Sequence, residues 1–186
     1  MQSKKLLLSA ALFGAGFLPT SQAENWYAEG LAGGLINADS SDFTTVSELS
    51  LGSVGLRSGY QINDSFSVEG ELQMGVGKEE LRQTRYGTDV SIHSMAASFV
   101  NYTLPINDRL SLHSRLGVAS IEFESEIVDD DGSVVDRFTD TYTGIGFGAG
   151  AEFGVTDNIY LRTDYTRYQA NALDTNSILI GAGLRF

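Results

Sequence analysis

The chain has 186 residues, 42% of them hydrophobic, with no cysteine and a formal net charge of −12. That length suits one domain. Lack of cysteine excludes disulfides, thiolate metal sites and a lipoprotein acyl anchor, and so acidic a chain is a poor match for nucleic acid, whose phosphates require clustered Lys and Arg.

Lys4 and Lys5 open the chain, an apolar run spans Leu6 to Leu18, Pro19 breaks it, and Ser21-Gln22-Ala23 forms a small-x-small end. This is the layout of a secretory signal peptide, and the run is shorter than the roughly 20 residues of a spanning helix. Residues 1–23 are therefore expected to be a signal peptide and residues 24–186 the mature domain. Loss of Lys4 and Lys5 takes the formal charge to −14, because the leader holds no acid, and leaves Lys78 as the one lysine.

From Trp26 onward the pattern is strand after strand. Strand one is expected from Asn25 to about Leu35, followed by a polar loop, Ile36–Ser47. Strand two, about Leu49 to Ile62, sets Val54, Leu56, Ser58, Tyr60 and Ile62 against Gly55, Arg57, Gly59 and Gln61. Asn63-Asp64 signals a tight turn. Strand three, Phe66 to about Val76, sets Phe66, Val68, Leu72 and Met74 against Ser67, Glu69, Glu71 and Gln73. A charged loop, Gly77–Thr88, precedes strand four, about Val90 to Leu104, whose outward residues are Ala96, Ser98, Val100, Tyr102 and Leu104.

After the turn at Asn107-Asp108, strand five directs Leu110, Leu112, Leu116 and Val118 away from His113, Arg115 and Gly117. Its alternation drifts near Ile121–Phe123, and an acidic loop is expected over Ile127–Asp140. Strand six alternates Ile145, Phe147, Ala149, Ala151 and Phe153 with Gly144, Gly146, Gly148, Gly150 and Glu152. Thr156-Asp157-Asn158 turns into strand seven, where Leu161, Thr163 and Tyr165 oppose Arg162 and Asp164. A loop over Ala170–Thr175 leads to the last strand, with Ile178, Ile180, Ala182, Leu184 and Phe186 on one face and Ser177, Leu179, Gly181, Gly183 and Arg185 on the other.

Eight strands joined by alternating long and short connections predict an all-β fold, an eight-stranded antiparallel up-and-down transmembrane β-barrel. Orientation follows from the polar face. Its Arg57, Glu69, Glu71, Arg115, Glu152, Arg162, Asp164 and Arg185 can neutralise one another inside a closed barrel. Turned to lipid, each arginine near the midplane would cost about 2–4 kcal/mol. Glycines among these charges suit a crowded interior. Trp26, Tyr60, Phe66, Tyr102, Phe153 and Phe186 fall at the short-turn ends of the apolar face, as an interfacial girdle would. A soluble lipocalin-like carrier has the same alternation turned inside out and stands as the alternative.

Asn25-Trp26-Tyr27, the segment Gly59 to Asp64, Asn101-Tyr102, the segment Leu161 to Tyr165 and the ending Gly183 to Phe186 together resemble the small outer-membrane β-barrel proteins of Gram-negative bacteria, the group with OmpA and OmpX-like barrels. The resemblance spans the mature chain, but its motifs are short and specify a scaffold. It implies residence in the bacterial cell outer membrane and contact with lipid and lipopolysaccharide. It also implies recognition of the C-terminal strand by the barrel-assembly machinery. The peptidoglycan-binding domain of larger members is not expected, since the sequence stops at Phe186.

His93-Ser94 and His113-Ser114 suggest a lipopolysaccharide-modifying barrel hydrolase, yet adjacent strand residues point to opposite faces and cannot pair as nucleophile and base. Ser91 with His93 and Ser111 with His113 share a face, without a third carboxylate evident in the sequence. The acids Glu124, Glu126, Asp129, Asp130, Asp131 and Asp136 lack the EF-hand spacing and read as a solvated surface loop. The glycines of strand six have a period of two and open no helix, unlike a dinucleotide fingerprint. Charged residues inside could gate a narrow ion or water pore, whereas a plug of ion pairs is the plainer reading. No catalysis, metal or cofactor is expected; a structural or surface-interaction role is, with an extracellular ligand at the loops.

Overall fold

The computed structural model describes residues 25–40, 50–77, 79–83, 86–128, 134–170 and 173–186. Its strands are β1 (Trp26–Ser40), β2 (Ser50–Gln61), β3 (Phe66–Val76), β4 (Glu79–Gln83), β5 (Tyr86–Pro105), β6 (Leu110–Val128), β7 (Val134–Gly154), β8 (Ile159–Ala170) and β9 (Leu173–Arg185). The expected leader, Met1–Ala23, and the centres of the expected loops lie outside the described residues, as do Lys78 and Asp129–Asp131.

Three short turns start the hairpins, and polar side chains shape them locally. Asn63 Oδ1 accepts hydrogen bonds from the backbone N–H groups of Ser65 and Phe66, both at 2.9 Å. Asn107 Oδ1 does the same for Arg109 and Leu110, and Thr156 Oγ1 for Ile159. Consecutive strands pair antiparallel except β3 and β4; β3 pairs instead with β5, and β1 pairs with β9. The ring therefore closes on eight strands, with the short β4 continuing along β5 past the end of β3. At the short-turn rim, the Phe186 N–H donates to Trp26 O at 2.9 Å, which ties the last residue to the first strand.

Closure fixes which face meets the surroundings. Leu56, Leu72, Met74, Leu116, Phe147, Ile178 and Ile180 are exposed on the outside, whereas Arg57, Glu71, Arg115 and Asp164 are buried within. A soluble barrel would bury the first set. The strand pattern thus gives an apolar exterior around a charged lumen.

All four connections expected as loops are in part strand: β1 runs on to Ser40, β9 starts at Leu173, and the other two differ more. Parts of the spans read as loops, Gly77–Thr88 and Ile127–Asp140, are paired: Glu79–Gln83 lies against β5, and Val134–Asp140 against β6. Their polar composition concealed strands that stand in water, where neither face needs to be apolar. As a result β5, β6 and β7 are 20, 19 and 21 residues long, against 12 for β2 and for β8. A spanning strand needs only about 9–11. The outward face of β6 changes from Leu112, Leu116 and Val118 to Ser120, Glu122 and Glu124, and that of β7 from Ile145 to Thr143, Thr141 and Thr139. Beyond that change, β4 to β7 form a sheet that projects past the apolar belt.

Candidate functional site

Register alone brings opposite charges together. Glu29 lies directly across from Arg57, and Arg57 across from Glu71, on three adjacent strands. Facing side chains in such pairs are about 5 Å apart at Cβ, which long side chains easily span. Arg57 Nη1 donates to Glu29 Oε2 at 2.5 Å and, across the lumen, to Asp164 Oδ2 at 2.9 Å. Its Nη2 and Nε both donate to Glu71 Oε2. Arg162 Nη1 donates to Glu69 Oε1 at 2.6 Å, and its Nη2 to Asp164 Oδ1 at 3.1 Å. Arg115 Nη2 reaches Glu71 Oε2 at 3.0 Å while its guanidinium stacks 3.7 Å above the Phe99 ring.

Neutral groups complete the cluster. Tyr27 donates to Glu69 and Tyr160 to Glu29; Gln73 donates to Glu71 and accepts from Ser53. All of these charged side chains are at least nine-tenths buried. In so dry a place an ionised group persists only with partners and hydrogen bonds, and here each carboxylate meets at least one guanidinium. Glycine supplies the space for the rings. A Cβ at Gly59 would strike Tyr27, one at Gly183 would strike Tyr160, and one at Gly150 would strike His113.

Of the eight interior residues named from the sequence, Arg57, Glu69, Glu71, Arg115, Arg162 and Asp164 meet in this network. Glu152 and Arg185 do not: they pair with each other at the short-turn rim, half-buried, with Arg185 stacked on Tyr160. Glu29 is an addition, and Tyr27-Ala28-Glu29 alternation on strand one was the available signal. The aromatic residues Tyr60, Phe66, Tyr102, Phe153 and Phe186 are exposed on the outer face, with Trp26 half-buried beside Tyr60 at 5.2 Å between centroids and Phe66 at 5.2 Å from Tyr102.

His113 lies in the lumen with Nε2 2.7 Å from Asp164 Oδ1. The carboxylate that the sequence did not offer is thus present, but it is shared with Arg57 and Arg162, and Ser114 points outward. His93 sits on the outside at a bulge in β5, 3.6 Å from Glu124. Among the described residues no group of three or more His, Cys, Asp or Glu is arranged to hold a metal ion.

Of the other half of the lumen, sequence alternation gave no more sign than its drift near Ile121–Phe123. Toward the loop rim, Leu35, Leu51, Ile92, Met95, Ala97, Phe99, Ala119, Ile121, Phe123, Tyr142, Tyr168 and Ala170 form one buried apolar cluster. The lumen therefore has two levels, ionic near the short turns and apolar near the loops.

A closed sheet that is greasy outside and ionic inside defines a membrane-spanning β-barrel. The chain belongs to the outer membrane protein beta-barrel domain family, which it matches over residues 8–186. Among solved structures it is similar to Ail, the attachment invasion locus protein of Yersinia pestis, at 15% identity and a TM-score of 0.60, covering 88% of this chain and 99% of that one. It is also similar to Neisserial surface protein A, at 18% identity and a TM-score of 0.58, covering 88% and 98%. The N-terminal β-barrel domain of Pseudomonas aeruginosa OprF matches at 14% identity and a TM-score of 0.57, covering 89% and 100%. At these identities the likeness is one of fold. No curated protein matches the sequence.

Proposed function

We propose that the protein is a non-catalytic anchor of the bacterial outer membrane that presents its projecting β4–β7 sheet and loops to partners outside the cell. The observation that carries this reading is the extension of β5, β6 and β7 well past the apolar belt, above a lumen occupied by ion pairs and packed apolar side chains. A strand needs no such length to span lipid, so the excess is available for contact. In this reading the outer face meets lipid and lipopolysaccharide, and the C-terminal strand ending on Phe186 is read by the barrel-assembly machinery. The relatives' names, a surface protein and an attachment protein, are in keeping with a surface role.

The test replaces residues 122–141, the outer part of the β6–β7 hairpin, with a two-residue turn. The barrel should still run faster on a gel unboiled than boiled, while binding of cells to a panel of immobilised extracellular proteins should fall to the level of cells lacking the protein. Unchanged binding would refute the surface role. A pore would instead show conductance in planar bilayers that alters on neutralising Arg162, and an enzyme would change the mass of lipopolysaccharide in a manner lost in His113→Ala.

A further inference from the structure

We draw no further inference here: the strongest candidate, the buried polar cluster of Arg115, Thr166, Tyr168 and Ser177 where the two levels of the lumen meet, carries nothing because no feature of the structure shows which ligand it takes, and an anion there would face the Glu71 and Asp164 carboxylates that Arg115 already contacts.

Discussion

The two levels of the lumen occupy the same barrel wall and solve its filling in opposite ways. Near the short turns, Arg57, Arg115 and Arg162 join Glu29, Glu69, Glu71 and Asp164 through directional bonds linking β1, β2, β3, β6 and β8. Near the loops, Ile121, Phe123, Ile92 and Leu51 fill space by volume. The first arrangement is specific because each charge is costly without its partners. The second is tolerant, because apolar contacts need only the right size. A barrel anchored by the ionic level can vary its apolar level and its projecting strands without altering its span.

The comparison breaks most sharply at Arg57. Arg57→Met leaves Glu29, Glu71 and Asp164 short of a partner in a dry site, and losing one member of such a network costs about 3–5 kcal/mol. Urea unfolding in lipid vesicles should show that loss. Restoring balance with Glu71→Gln in the same chain should recover part of it, and equal stability of both variants would count against coupling. At the apolar level, Ile121→Ala should cost about 3 kcal/mol through lost contacts and the cavity left. Ile121 is fully buried and lies across from Tyr142. A change below about 1 kcal/mol would indicate that the upper lumen collapses around the deletion.

The ionic level was largely legible in the sequence, because Arg57, Glu69, Glu71, Arg115, Arg162 and Asp164 alternate strictly with residues that must face lipid. The apolar level was hidden for a physical reason. Where both lumen and exterior are apolar, as around Met95 to Val100, period-two contrast fades. Where β6 leaves the membrane at Ile121–Phe123, the contrast reverses, with apolar residues inside and Glu122 and Glu124 outside. A bulge at His93 shifts the register of β5 as well. The drift seen in the sequence was thus the signature of strands passing from lipid to water. That Glu152 and Arg185 pair with each other at the rim, apart from the central network, was not legible, because alternation gives a residue's face but not its height along the axis.

That height matters to the third prediction. Arg185 is about a third exposed and Glu152 about a sixth, so water screens them where it does not reach Arg57. Glu152→Gln should therefore cost less than about 1 kcal/mol, and the loss should shrink as salt is raised. A cost matching that of Arg57→Met would mean the rim belongs to the ionic level after all.

The smallest effect is expected at the boundary. Thr166 and Ser177 face each other across β8 and β9, both about 1% exposed, and among the described residues neither hydroxyl has a hydrogen-bond partner. Thr166→Val keeps the shape and removes a polar group whose burial is uncompensated, a change worth from zero to about 1 kcal/mol in favour of the folded barrel. It thereby extends the apolar level downward by one residue. Greater resistance to urea, or no change, fits a boundary set by packing volume. A loss of more than about 1 kcal/mol would place Thr166 with the ionic level, as a group whose hydrogen bonds the barrel requires.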